Sequence, residues 1–582
     1  MSRPVRRLAA GVVALAGVLL LSACLSVPDA GPVHELHAKG ATSQKEAYPL
    51  SPRPPQPGAA PTEIVSGFLE AMLATPISTT VAKEYLESDY AGSWDPSRRI
   101  ITYAGHRPVQ GHRSTSVDLT GANWVDSRGS WRGSLTGADA TLHFSLARED
   151  GQWRIAKAPD ALIVPNWWFQ TRYSQRDLYF FDPTGRVLVP EPVFAPNGSQ
   201  LATALVSSLL RGPGAGGRNV DRTFLPAGSE GLSVPVIGHT AQISITGNSG
   251  SQSPHSLQLM AAQLAWTLRQ DPSVRQIRLT IDGRAVKFPD SGPTFSVSSG
   301  MQYDPNGFAA DDDLYAVRGG SLETSTDGEP FARVEGPWAG PHGIRSVCVD
   351  PTGNHAAGVT GDGRRLLIGP LVGKGSVTTV PIAGHDLLRP AWDLTGRLWV
   401  LDRTAGGARI SYLPDADSAT GSFVRLRVPG VTGEDVRRFL VSRDGTRLVA
   451  VVRGADGDRV VVSRLRATVG GVITSASPAA TVPYPTQGTV RVEDIAWRSP
   501  TTIAAVQQLP DTALVSVLSL DGATDVVTAT TRSLVNVIDQ LVGSPVTGTS
   551  LYARSGRTLL DLSGNGDDIT LRPGTGATTY AG

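Results

Sequence analysis

The residue in this 582-residue chain with the best-defined chemistry is Cys24. It closes the run Leu21-Ser22-Ala23-Cys24, in which a thiol follows small residues at the end of an apolar stretch. The thiolate is the nucleophile of a cysteine. Here it would take a diacylglyceryl group, and cleavage would leave Cys24 as the new N-terminus. The flanks agree. Arg3, Arg6 and Arg7 lead an apolar run from Leu8 to Leu21. That run is about 14 residues, short of the roughly 20 that a spanning helix needs, so residues 1–23 read as a lipoprotein signal peptide. Leu21, Ser22 and Ala23 form its lipobox. A secreted protein with an incidental cysteine is the alternative.

The other reactive residue types do not converge. His34-Glu35-Leu36-His37 has the letters of a zinc site, but two histidines need i and i+4 spacing on a helix to share one ion. The glycine-rich stretch Gly212-Pro213-Gly214-Ala215-Gly216-Gly217 follows a helix, whereas a phosphate cradle precedes one and ends in Lys-Ser or Lys-Thr. It reads as a helix stop. Asp311-Asp312-Asp313 and Asp567-Asp568 lack the alternating oxygen ligands and closing Glu of a calcium loop, so they read as turn acids. Trp153, Trp167, Trp168, Trp266, Trp392, Trp399 and Trp497 are possible sugar platforms. Most of them sit in apolar periodic runs that suit a core. No Gly-x-Ser-x-Gly elbow and no Ser-x-x-Lys occurs. We therefore expect no catalytic, cofactor-binding or metal-binding residues, and no enzyme.

The elements that would carry these residues fall into blocks. Length alone implies several domains. The formal net charge is +1, and cleavage before Cys24 removes three of the 53 basic residues and none of the 52 acidic ones, leaving the mature chain at −2. Near-neutrality argues against a nucleic-acid partner. Of the two cysteines, Cys348 lies in a strand-like run and reads as a buried, inert thiol. Residues 24–60 are a proline-rich tether behind the lipidated cysteine. Helical periodicity then starts at Ile64, Val65, Phe68, Leu69 and Met72. Two strands follow, Ala140 to Ala147 and Gln152 to Ala156, joined by the turn Asp150-Gly151. This gives an α+β domain over 61–170. A second α+β domain spans 175–298, with strand–turn–strand at 178–189 and a helix through Leu201, Leu205 and Leu209. Its second helix is capped by Ser253-Pro254 and presents Leu257, Met260, Ala261, Leu264, Ala265 and Leu268 on one face.

From 300 to 582 short apolar runs alternate with turns. Asp304-Pro305-Asn306-Gly307, Asp350-Pro351-Thr352-Gly353, Asp393-Leu394-Thr395-Gly396 and Ser442-Arg443-Asp444-Gly445 recur, with weaker copies at Arg498-Ser499-Pro500 and Gly543-Ser544-Pro545. A period of roughly 40–50 residues is that of propeller blades, and six blades fit. The drift in spacing leaves an array of β-sandwiches open.

The order of lipobox, tether, Asp150-Gly151-Gln152-Trp153-Arg154-Ile155, Leu188-Val189-Pro190-Glu191, Leu209-Leu210-Arg211-Gly212-Pro213 and Ala262-Gln263-Leu264-Ala265-Trp266-Thr267-Leu268 resembles the actinobacterial LpqB lipoproteins. The octet Leu25-Ser26-Val27-Pro28-Asp29-Ala30-Gly31-Pro32 fits as well. The resemblance implies an NTF2-like first domain, a GerMN-like second domain and a C-terminal β-propeller. It also implies a lipid-anchored protein on the extracytoplasmic face of the cell membrane. Such a protein would bind and modulate an MtrB-like sensor histidine kinase of a two-component system that controls cell-wall homeostasis and division. The alternative is a lipoprotein that binds cell-wall glycan or a small ligand, with a wall hydrolase behind it. The first test is at Cys24. Cys24→Ala is expected to run larger on a gel and to lose metabolic fatty-acid label, whereas continued labelling would refute the lipobox.

Overall fold

A computed structural model describes residues 52–582 apart from 111–113, 215, 218–219, 227–230, 232, 248–252, 290, 327–328, 417–420, 485–488, 524–531 and 565–566. Cys24, the lipobox residues Leu21, Ser22 and Ala23, and both histidines of the tether lie outside the described residues. Residues 51–582 form one compact unit. The described end of the tether leans on the first domain: Tyr85 Oη donates to Arg53 O at 2.9 Å, and Gly58 N to the Gln152 side chain at 2.7 Å.

Helix α1 (Pro61–Ala71) starts where proline is tolerated, and the Glu63 carboxylate accepts from Ala60 N at 2.7 Å. Its buried stripe Ile64, Val65, Phe68 and Leu69 packs on Val117, Phe144 and Ile155. Two one-turn helices follow, α2 (Thr80–Lys83) and α3 (Ser88–Ala91). Eight strands complete the domain: β1 (Arg99–Tyr103), β2 (Gly105–Gln110), β3 (Ser114–Thr120), β4 (Asn123–Asp126), β5 (Trp131–Ser134), β6 (Thr141–Glu149), β7 (Gln152–Lys157) and β8 (Leu162–Pro165). They form two four-stranded sheets, β5-β4-β1-β8 and β2-β3-β6-β7. Asp150 and Gly151 both have positive φ, 50° and 76°, the primed turn that matches strand twist.

Helix α4 (Asn166–Arg172) leads into the second domain. There β9 (Tyr173–Phe181) and β10 (Leu188–Pro196) pair over nine residues. Helix α5 (Leu201–Leu210) follows, then β11 (Val236–Ile237) and β12 (Thr240–Ile245). Helix α6 (Pro254–Leu268) connects β12 to the parallel strand β13 (Gln276–Ile281), and β14 (Arg284–Ala285) and β15 (Thr294–Ser296) both pair with β13. Ser253 caps α6 by accepting from Ser256 N at 3.1 Å. The one-faced reading of α6 is too narrow, because every residue from Leu259 to Leu268 is buried. The helix lies between the domain core on one side and Phe181, Leu188 and Tyr303 on the other. Its polar members are satisfied inside. Gln263 accepts from Phe224 N at 2.6 Å and donates to Tyr179 O at 3.1 Å, and Thr267 accepts from Tyr179 N at 3.2 Å.

Beyond residue 313 the described strands fall into six successive antiparallel sheets, the arrangement of a propeller. The first is closed by the last strand, Thr575–Tyr580, which pairs with Leu314–Arg318. Cys348 is 1% exposed and burial pushes its thiol up to about 12, which leaves it inert. The recurring Asp- and Gly-containing turns are held locally. Asp350, Asp393 and Asp444 each accept from the Thr hydroxyl two residues on, at 2.5–2.6 Å, and the glycines have φ of 73°, 84° and 69°. These turns gather round Arg443. Its guanidinium donates to Asn306 O and Ala581 O, each at 2.7 Å, and its own carbonyl accepts from Leu394 N at 2.8 Å.

Burial pushes Arg443 down to about 10, while Asp311, Asp304 and Asp350 oppose the drop. Arg443→Met would remove the pin and leave these carbonyls bare. Loss of about 3–5 kcal/mol of stability is expected, read as a shift in the denaturant midpoint.

Candidate functional site

Strand β10 touches all three parts of the unit. Its sequence, Leu-Val-Pro-Glu-Pro-Val-Phe-Ala-Pro, is apolar apart from one carboxylate. Residues 190, 192, 194 and 196 share one strand edge, and three of them are proline, so this edge has almost no N–H to satisfy. Its one donor, Phe194 N, bonds Gly129 O of the first domain at 2.7 Å. Gly129 has φ +85°, and a Cβ there would lie 2.5 Å from Phe194 O, so only glycine permits the approach. Close by, Arg128 donates to Gly212 O, and Arg211 donates to Ser127 O.

The propeller meets the same strand at Glu191. Arg447 donates to Pro190 O and, at 2.8 Å, to Glu191 Oε1. Arg464 forks onto both carboxylate oxygens, with Nη2–Oε2 at 2.7 Å. The Arg447 side chain is 2% exposed and also pairs with Asp444 Oδ2 at 3.3 Å. Burial would raise the Glu191 carboxyl, but Arg464 and Arg447 overcome it and hold it below the ordinary value. Asp221 lies against it. Burial and the Glu191 charge push the Asp221 carboxyl well above the usual carboxylate range. Gln175 of β9 donates to Ser519 Oγ at 3.0 Å and Asp521 Oδ2 at 3.2 Å, and Ala523 enters the first domain's core.

A cavity of about 310 Å³ remains at this three-way junction, lined by Trp131 and Arg132, by Gly214, Gly216 and Gly217, and by Glu191, Arg447, Arg464 and Asp521. The glycine-rich stretch is a helix stop, as its position implies. Gly212 has φ 71° and bonds back to Leu209 O, and its continuation walls this cavity. The arrangement is an ionic joint: each strong charge of the Glu191 cluster already faces an opposite one.

The two acidic runs come together. Asp312, Asp567 and Asp568 line one cleft of about 770 Å³ between the first and last sheets, with Arg572 among them. The Asp311–Asp313 carboxylates lie within 4.8 Å of one another. They hold their own loop, since Asp311 accepts from Tyr315 Oη at 2.5 Å and Asp313 from Thr326 Oγ1 at 2.9 Å. Trp168, Trp266, Trp392, Trp399 and Trp497 are core residues. Trp153 is half-buried beneath the Arg148 guanidinium, and Trp167 stands 60% exposed. Sequence reasoning missed Glu191 and its arginines. The signal was a single carboxylate between prolines in an apolar strand, which demands a buried partner.

Two α+β domains joined to a propeller define a class of multidomain propeller protein. Residues 54–170 match the family described as "Lipoprotein LpqB, N-terminal domain". Residues 177–287 match "Sporulation and spore germination", and 320–568 match "Lipoprotein LpqB beta-propeller domain". The lipoprotein LpqB of Thermobifida fusca is 29% identical over 89% of this chain and 90% of its own. That of Mycolicibacterium smegmatis is 28% identical over 95% and 94%. The tandem GerMN domains of the sporulation protein GerM from Bacillus subtilis overlap 26% of this chain and 58% of that chain, at 22% identity and TM-score 0.18. The chain belongs to the lipoprotein LpqB family. Among the described residues no helix is long and apolar enough to cross a membrane.

The junction predicts a pH dependence. Burial raises Asp177 from 3.8 to about 6, with Arg447 and Arg176 pulling it down and Glu191 and Asp521 pushing it up. Between those values the folded state binds the extra proton, so stability falls as pH rises and the full penalty is present above the folded value. Asp177→Asn should flatten that slope and gain about 1–3 kcal/mol at pH 7, measured by denaturant midpoints from pH 4 to 7.5.

Proposed function

We propose that this protein is anchored through lipid on Cys24 at the extracytoplasmic face of the cell membrane. There it binds the ectodomain of an MtrB-like sensor histidine kinase and modulates a two-component system for cell-wall homeostasis and division. The family resemblance supports the partner. The observation that carries a binding role is the joint at Glu191: its charges are spent on one another in fixing the second domain to the propeller, and the neighbouring Phe194 N–H ties the same strand to the first domain. Fold alone is a weak warrant for function, since propellers host enzymes too.

With the mature chain near neutral, affinity should rest on a few apolar or arginine anchors, and Trp167 on α4 is an exposed aromatic of that kind. The full chain in detergent and the kinase ectodomain should form a complex by interferometry that weakens only modestly between about 0.1 and 0.5 M salt. Trp167→Ala should weaken it about tenfold or more without changing the melting midpoint. Absence of a complex up to about 100 µM would refute the reading.

A further inference from the structure

The first domain carries an open cleft of about 670 Å³ lined by Arg99, Trp124, Leu135, Asp139, His143 and Lys157 among others. Both sheets build it. His143 and Ser145 alternate with the buried Leu142, Phe144 and Leu146 along β6, so they share the outward face of that sheet. Lys157 of β7 stands opposite Ser145 in register, on the same face. Arg99 opens β1, and Trp124 lies on β4 of the other sheet. Trp124 and Leu135 are half-buried against the domain core, which gives the cleft an apolar strip between polar rims.

Elsewhere on this domain Arg98 pairs with Asp160, Arg107 with Asp118 and Arg132 with Asp126. Among the described residues, the side chains of Arg99, Asp139, His143, Ser145 and Lys157 have no hydrogen bond or ion pair. Two cations without an ion pair at one cleft can take an anion. A single carboxylate, an imidazole and a hydroxyl beside an indole offer what a sugar needs: acceptors and donors for its hydroxyls, and an apolar surface for its C–H face. The volume lies in the range of small-ligand sites.

We propose that this cleft binds a saccharide bearing a carboxylate or a phosphate. Lys157 and Arg99 take the anion, Asp139 and His143 take hydroxyls, and Trp124 supports the ring. The proposal stands apart from the kinase reading, since it needs no second protein. The test is calorimetry on the detergent-solubilised full chain. The probes are the N-acetylglucosamine–N-acetylmuramic acid disaccharide, trehalose 6-phosphate, uncharged chitobiose and inorganic phosphate. At least one charged disaccharide should bind about tenfold or more tightly than both chitobiose and inorganic phosphate, and the tighter of the two names the anion. Lys157→Glu, at an exposed position, should cost about tenfold in that affinity and leave the melting midpoint in place. Asp139→Asn should weaken the charged disaccharide and leave inorganic phosphate unchanged. Equal binding of chitobiose or inorganic phosphate, no binding at about 10 mM, or an unchanged affinity in Lys157→Glu would overturn the proposal.

Discussion

The structure depends on burying one carboxylate between two guanidiniums. Taking Glu191 out of water costs several kcal/mol, and only close, well-aligned partners offset that. Arg464 supplies both prongs of its fork, while Arg447 adds a third contact and carries Asp444 behind it. Each group is satisfied in one geometry only. The second domain and the propeller are therefore fixed in register, and β10 cannot slide without stranding a charge. The same strand uses its single free N–H on the first domain, so one nine-residue segment orients the whole unit.

The propeller solves a different problem with the same economy of polar groups. Three of its turns close themselves through a Thr hydroxyl donating to the Asp carboxylate. Arg443 satisfies the carbonyls of Asn306, in a fourth turn, and of Ala581, near the C-terminus, at once. The recurring motif is thus turn chemistry, and Arg443, carried by one copy of the repeat, sits where the turns meet.

Features with local causes were legible in the sequence. Asp150-Gly151 requires positive φ at two successive residues, Ser253-Pro254 is a cap with a first-turn proline, and the recurring Asp- and Gly-containing turns announce the sheets between them. Features with distant causes were not. Glu191 meets arginines 256 and 273 residues away, and no local pattern encodes that distance. Helix α6 has an amphipathic stripe, yet its second face is covered by the β9–β10 hairpin and Tyr303, so the stripe understates its burial. The first-domain cleft was equally hidden. Trp124, Arg99 and Lys157 lie on three strands of two sheets and come together only when both have folded.

The closure of the first sheet has a temporal consequence. Leu314 pairs with Tyr580, so the inner edge of Leu314–Arg318 stays bare while the intervening chain is made. At ordinary rates of synthesis that interval is on the order of tens of seconds. An open edge of that kind is a template on which nascent chains stick to one another. That interval is when the chain most needs a chaperone.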